Sequence, residues 1–204
     1  MLRYAITGRT LYLGDEPARH RALLQQAAHL ASANIDFLQL REKDLPAATL
    51  ADLAREILAI LRAHNAPTKL LINTRADIAI ATHAHGVHLT SGPGALTPAQ
   101  VRELYAHVGL PTPTISLSCH TLEEVSHAAS PSEEARPDLI LFGPVFEKAV
   151  AANTTPGTGI QLLAAACRAA APIHVLALGG ITEQNTPACL TAGAAGIAAI
   201  RLFS

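Results

Sequence analysis

Eight short apolar runs, each separated from the next by a connecting stretch with its own pattern, constrain this 204-residue chain more than any other feature. They cover Tyr4 to Thr7, Asp36 to Arg41, Lys69 to Asn73, Gly86 to Leu89, Thr114 to Ser118, Leu139 to Gly143, His174 to Gly179 and Gly196 to Arg201. Runs this short, bounded by turn formers, read as buried strands. Between the second and third, Leu50, Leu53, Ile57, Ile60 and Leu61 keep helical spacing, with Pro46 near the start where its missing N–H is harmless. Leu23, Leu24, Ala27 and Leu30 do the same after the first run. Thr97-Pro98-Ala99-Gln100 and Thr121-Leu122-Glu123-Glu124 each set a capping hydroxyl three residues before a Gln or Glu, which marks two more helix starts. Repeated strand-then-helix units force parallel strands and right-handed crossovers. Eight of them close most naturally into a (β/α)8 TIM barrel, with an open doubly wound sheet as the alternative.

Length and charge narrow the class further. Residues 1–204 are expected to form a single barrel domain, because a chain of this size buries roughly 70% of its unfolded surface and leaves no room for a second core. Half the residues are hydrophobic, mostly Ala, Leu and Ile, and such small side chains suit helices packed on strands. With a formal net charge of -1 and scattered Lys and Arg, the footprint of a nucleic-acid binder is absent, and a small molecule is the expected ligand. Cys119, Cys167 and Cys189 are too few and too widely spaced for a disulfide framework or a zinc cluster, which fits a reducing compartment. The start of the chain carries neither a leader pattern nor a membrane-spanning run, so a cytoplasmic protein with no membrane partner is expected. The sequence stops at Ser204, just past the eighth run, so the barrel is expected to lack its eighth helix. Burying the wall left bare would favour a homo-oligomer, with a dimer preferred, and a monomer in micromolar light scattering would remove the motive.

In a barrel, the carboxyl ends of the strands converge on one mouth, so functional residues are sought there. Gln39, Arg41 and Lys43 alternate with Leu40 and Glu42, which points an amide, a guanidinium and an ammonium to one side, a set suited to phosphate or carboxylate. A solvated rim with a Glu42 ion pair is the plainer reading of that segment. Gly179-Gly180 follows the seventh run, where backbone N–H groups approach phosphate in many barrels, and Arg201 at the tip of the eighth adds charge. A tight turn explains two adjacent glycines equally well. Ser118 and His120 share a side at the end of the fifth run, and an imidazole there is a proton carrier. Cys119 faces away and is a poor nucleophile. His83, His85 and His88 are dense, yet no HExxH arrangement or carboxylate supports a metal, so only His88 is read as lining the mouth. Residues 149–158 read as a mobile loop.

Taken in order, Gln39-Leu40-Arg41-Glu42-Lys43, Ile72-Asn73, Gly86-Val87-His88-Leu89, Ser118-Cys119-His120-Thr121-Leu122-Glu123-Glu124, Phe142-Gly143-Pro144-Val145-Phe146 and Leu178-Gly179-Gly180-Ile181 resemble the thiamin phosphate synthase superfamily over nearly the whole chain. The resemblance implies a (β/α)8 barrel and two possible chemistries. Its synthases join a pyrimidine methyl pyrophosphate to a thiazole phosphate, holding Mg2+ with an Asp after the Asn of the third strand and an acid in the loop after the fourth. Here those places read Thr74 and Ser91-Gly92-Pro93-Gly94, and the Thr and Lys pattern after the sixth strand reads Phe146-Glu147-Lys148-Ala149-Val150. Its TenI-type thiazole tautomerases lack those acids while keeping the phosphate contacts and the fifth-strand histidine, and this sequence is more similar to them.

The resemblance therefore implies a cofactor-free tautomerase. His120 would carry the proton, Arg41 and Lys43 would receive a carboxylate, and the Gly179-Gly180 turn would hold a phosphate. Gln39, Asn73, His88, Ser118, Gly143 and Arg201 would complete the substrate site. Arg201 stands where the family more often has a small residue, so its place rests on charge alone. A magnesium-dependent synthase, with Asp44 or Asp77 as substitute ligands near the starts of the second and third helices, is the alternative. A non-catalytic phosphate-binding barrel is the second alternative.

Overall fold

Hydrophobic alternation along the short strands builds two apolar layers, one inside a cylinder and one between that cylinder and its helices. A computed structural model describes every residue except Pro93, Ala151 and Ala152, and the backbone alone for 148–150 and 153–155. In chain order the elements are β1 (Leu2–Ile6), α1 (Glu16–Ser32), β2 (Phe37–Leu40), α2 (Ala47–Ala63), β3 (Lys69–Asn73), α3 (Ala76–Thr82), β4 (Gly86–Thr90), α4 (Pro98–His107), β5 (Thr114–Cys119), α5 (Leu122–Ala129) and β6 (Leu139–Phe142). They continue with β7 (Lys148–Val150), β8 (Asn153–Thr155), α6 (Ile160–Ala170), β9 (His174–Leu178), α7 (Thr186–Thr191) and β10 (Gly196–Ala199). Eight parallel strands close in the order β1-β10-β9-β6-β5-β4-β3-β2, so the doubly wound alternative is excluded.

Inside the cylinder, Tyr4, Ile6, Leu71, Leu139, Leu141, Leu176 and Ala198 pack together, with Leu2, Phe37, Leu178 and Ile200 against them. The opposite strand faces meet the helices: Leu38, Leu40, Ile72, Val87, Ile115, Cys119 and Ile140 join Leu53, Ile57 and Leu61 of α2 and Leu23, Ala27 and Leu30 of α1. Period two in the strands and period 3.6 in the helices thus deliver both layers from one pattern. Helix starts follow their local chemistry. Asp15 caps α1 through Ala18 N at 3.0 Å, and Thr97 and Thr121 both form complete capping boxes with Gln100 and Glu124.

Several boundaries are shorter than the sequence implies. Thr7, Arg41, Gly143 and Gly179 lie just past their strands, where the chain bends into the mouth loops, and Asp36 lies just before β2 at the opposite end. Arg201 is not the tip of β10 but the first residue of a 3-10 turn, Arg201–Phe203, and its exposure reflects that departure from the strand. No eighth α-helix follows among the described residues; the turn instead ties back to α1 through Gln26 Nε2, which donates to the Phe203 carbonyl at 2.7 Å. Asp44 lies in the turn ahead of α2 rather than in the helix, because Pro46 holds the N-cap position of that helix, and the Asp44 carboxylate pairs with the buried Arg9. The stretch after β6 read as a loop contains the antiparallel hairpin β7–β8, paired from Lys148↔Thr155 to Val150↔Asn153. Two residues of the expected mobile loop, Ala151 and Ala152, lie outside the described residues.

Candidate functional site

Sequence alternation places Gln39 and Arg41 at the mouth, and a charge arrangement absent from the sequence reading keeps the second cation available. Glu42 does not form a solvated ion pair at the rim. Its side chain is buried and receives the Thr7 hydroxyl at 2.6 Å, the Arg9 backbone N–H at 3.2 Å and Arg9 Nη1 at 3.1 Å. Arg9, on the 3-10 turn Arg9–Leu11, also donates two parallel bonds to Asp44 at 2.7 Å and pairs with Glu16. That planar fork matches the Asp44 carboxylate, and its hydrogen bonds hold Asp44 low, at about 2. Thr7 Oγ1 in turn accepts from the Arg41 N–H at 2.9 Å, which fixes the backbone that presents Arg41. Among the described residues no carboxylate pairs with Arg41 or Lys43, so both cations lie beyond the end of β2 without a counter-ion.

The next side chains inward are polar and largely dry. Gln39 is buried and donates through Nε2 to Asn73 Oδ1 at 2.8 Å, while Asn73 Nδ2 reaches Thr74 Oγ1 at 3.3 Å. Gln39 Oε1 has no hydrogen-bond partner among the described residues. His88 is buried on β4 between two hydroxyls of β5, with Nδ1 at 2.8 Å from Ser116 Oγ and Nε2 at 2.9 Å from Ser118 Oγ. Burial, then the nearby Arg41 charge, pushes its pKa down to about 3, so the ring is neutral at physiological pH. The other two histidines of that cluster serve the fold. His83 caps α3 in the left-handed region at φ 56°, and His85 Nδ1 accepts from Leu70 N at 3.0 Å.

His120 stands exposed just beyond β5, and three contacts fix it. Its backbone N–H and that of Thr121 donate to Glu124 of the capping box, and its Nδ1 lies 2.6 Å from the Gly143 carbonyl. A carbonyl only accepts, so Nδ1 carries hydrogen, and in the neutral form of the ring the lone pair is on Nε2. Burial alone would raise the Glu124 pKa, but hydrogen bonds from His120 N–H, Ser91 and Thr121 N–H prevail and lower it, so the capping carboxylate stays ionised. Cys119 is fully buried among the outer apolar residues, and burial pushes its thiol up to about 12, which removes it as a nucleophile.

The loops after β6 and β9 are interlocked. Val145 N donates to Leu178 O at 2.8 Å and Phe146 N to Gly179 O at 3.1 Å. A Cβ on Gly143 would sit 2.0 Å from Leu178 O, and one on Gly179, at φ 94°, would sit 2.6 Å from Pro144 Cα. Close approach of two backbones therefore explains these glycines more fully than a tight turn does. Asn185 Nδ2 secures the following carbonyl, Gly180 O, at 2.8 Å. A Gly179→Ala chain is expected to lose roughly 1–3 kcal/mol of stability from the positive φ alone, and more from the contact with Pro144. Its thermal midpoint should fall by several degrees in calorimetry; an unchanged midpoint would contradict the interlock.

The predicted set thus divides. Gln39, Asn73, His88 and Ser118 form one hydrogen-bonded or adjoining group at the mouth, the Arg41 charge is felt at His88, and His120 is joined to Gly143. Gly179 and Gly180 reach the same side through the interlocked loops, whereas Arg201 projects from the terminal turn and has its own partner. Tyr4, Thr7, Arg9 and Ser116 were missed. Only Ser116 had a signal, since it continues the alternation Ser116, Ser118, His120.

Magnesium fits this donor set poorly. Where the resemblance places two acids, a pocket of about 320 Å3 is lined by Thr74, Leu89, Thr90, Gly92, Gly94, Ala95 and Leu96, with no carboxylate. Asp44 is held by Arg9 and Asp77 by Arg75 at 2.6 Å, so neither substitute is free. Among the described residues no three His, Cys, Asp or Glu side chains are grouped to hold a metal. Such an ion normally needs one or two protein carboxylates beside the phosphates.

Fold and mouth together define a closed (β/α)8 barrel with an exposed imidazole, His120, just beyond the carboxyl end of β5. The chain belongs to the thiamine monophosphate synthase family, whose model matches residues 4–203, and so to the enzymes of thiamine biosynthesis. A putative thiamine-phosphate synthase of Geobacter sulfurreducens is 41% identical over 197 residues, covering 94% of this chain and 84% of that protein. Putative thiamine-phosphate synthase 2 of Aquifex aeolicus is 34% identical over 200 residues, covering 98% and 96%. Thiamine phosphate pyrophosphorylase from Pyrococcus furiosus superposes with a TM-score of 0.75 at 24% identity, covering 98% of this chain and 85% of that one, a likeness in fold. No helix among the described residues is long and apolar enough to cross a membrane.

Proposed function

We propose that this barrel binds a thiazole carboxylate phosphate and isomerises it to the aromatic thiazole by proton transfer through His120. The supporting observation is the 2.6 Å contact between His120 Nδ1 and the Gly143 carbonyl, which occupies Nδ1 as a donor and leaves Nε2 of the neutral ring to act as the base. Nε2 takes the proton from the ring carbon, and the C–H electron pair moves into the ring. The exocyclic carbon then receives that proton back from Nε2–H, so no atom is gained or lost. Arg41 and Lys43 receive the carboxylate, and the Gly179-Gly180 turn receives the phosphate. No metal or organic cofactor enters this scheme.

A second reading is coupling of a pyrimidine methyl pyrophosphate to a thiazole phosphate, and the comparisons back it more directly. Both curated relatives carry the name of a thiamine-phosphate synthase, whereas none of the names speaks for isomerisation. Against it stands the donor set, since release of a charged pyrophosphate depends on neutralising charge that a metal usually supplies. Two assays on the purified chain separate the readings. With the thiazole carboxylate phosphate tautomer, ultraviolet absorbance should report aromatisation that is indifferent to EDTA. With the pyrimidine pyrophosphate and thiazole phosphate, thiamin phosphate should stay at background with or without magnesium. Magnesium-dependent formation of thiamin phosphate would establish the second reading. Tight binding without either conversion would make this a non-catalytic ligand-binding barrel.

A further inference from the structure

Three hydroxyls and one imidazole form an unbroken line from the barrel centre to its mouth. Tyr4 Oη lies 2.8 Å from Ser116 Oγ, Ser116 Oγ lies 2.8 Å from His88 Nδ1, and His88 Nε2 lies 2.9 Å from Ser118 Oγ. Tyr4 and Ser116 are wholly enclosed, His88 nearly so, and Ser118 is half-buried where the line opens.

Counting hydrogens gives the line a direction. The Tyr4 hydroxyl has one hydrogen and, among the described residues, one partner. If Ser116 donated to Tyr4, the phenolic hydrogen would be buried unpaired, which costs about 1–3 kcal/mol. Tyr4 therefore donates to Ser116. The single Ser116 hydrogen then goes to His88 Nδ1, which makes His88 the Nε2–H tautomer. Nε2–H donates to Ser118 Oγ, and the Ser118 hydrogen is left over at the mouth. Each member donates once in the same sense, an arrangement in which successive bonds polarise one another. Two further facts agree with it: burial raises the Tyr4 pKa well above that of a free phenol, and His88 is neutral.

We infer that Tyr4, Ser116 and His88 form a one-way relay that fixes Ser118 as a hydrogen-bond donor toward an anionic oxygen of the ligand. Tyr4, Ser116 and His88 are positioning residues, and Ser118 is the group that selects. A hydroxyl held as donor favours carboxylate or phosphate oxygen and disfavours a ligand N–H or O–H at that point. The ligand half of this inference rests on the functional reading above; the tautomer half stands without it.

The test is 15N NMR of the histidine-labelled full-length chain at pH 7, with His88 assigned by its loss in His88→Gln. Nε2 should appear protonated and Nδ1 unprotonated, and in Tyr4→Phe this population should become mixed or reversed. A dominant Nδ1–H tautomer in the parent chain, or a Tyr4→Phe spectrum identical to it, would overturn the relay whatever the chain catalyses. The ligand half is read by titrating inorganic phosphate and acetate separately into the parent, Ser118→Ala and Ser118→Thr. Loss of a bond to a charged group should weaken at least one anion about 10-fold or more in Ser118→Ala, with recovery in Ser118→Thr. Equal affinities in all three chains would refute the selecting role while leaving the tautomer result intact.

Discussion

Replacing His120 by alanine is expected to lower turnover of the thiazole carboxylate phosphate by about 10²–10⁴-fold, the usual contribution of a positioned acid or base. The KM should change little, because Arg41, Lys43 and the Gly179-Gly180 turn do the binding in this reading. His120→Gln sharpens the test. Its amide nitrogen can still donate to the Gly143 carbonyl, so the loop contact at 2.6 Å has a substitute while the basic nitrogen does not. Both variants should therefore be equally impaired in kcat. Full activity in either would remove proton transfer from His120 and leave Nε2 without a role.

That assignment combines information the sequence carries with information it does not. Alternation along Thr114 to Ser118 sets Ser118 and His120 on one side and Cys119 on the other, and the structure places Cys119 among the outer apolar residues. The barrel was legible for the same reason: strand and helix periods are local properties, so eight runs and two capping boxes suffice to order the elements. The Arg9 network was not legible. Arg9 meets Glu42 and Asp44 across 33 and 35 positions of sequence, and nothing local says which of several acids a loop arginine will choose. This network inverts the reading of Glu42 as a solvated rim group and removes Asp44 as a metal ligand. The hairpin β7–β8 escaped because Gly, Pro, Asn and Thr mark turns whether or not the intervening residues pair. Ends of elements moved by one or two residues for a similar reason: the bend at a barrel mouth is set by neighbouring loops, as with Arg201, which leaves β10 for a 3-10 turn.

The buried imidazole makes the fold itself sensitive to acid. In the native state His88 titrates at about 3, against the 6.5 of an unperturbed histidine. Between those two values the unfolded chain binds a proton that the folded chain refuses, so the stability contributed by the neutral ring is complete above about 6.5 and is lost as pH falls toward 3. At roughly 1.4 kcal/mol per pH unit, the whole window is worth on the order of 5 kcal/mol, a large share of the stability of an ordinary domain. His85, whose pKa is lowered by burial and by Lys69 and Arg62, adds to the same slope, so the parent chain alone does not isolate the effect. His88→Gln does. Urea unfolding at pH 7 and pH 4 should show the parent losing several kcal/mol more than the variant over that interval, even where the variant is weaker at pH 7 for want of the Ser116 and Ser118 bonds. Parallel losses in the two chains would mean that His88 is hydrated or charged in the folded state, and the neutral ring between two serines would have to be abandoned together with the relay it anchors.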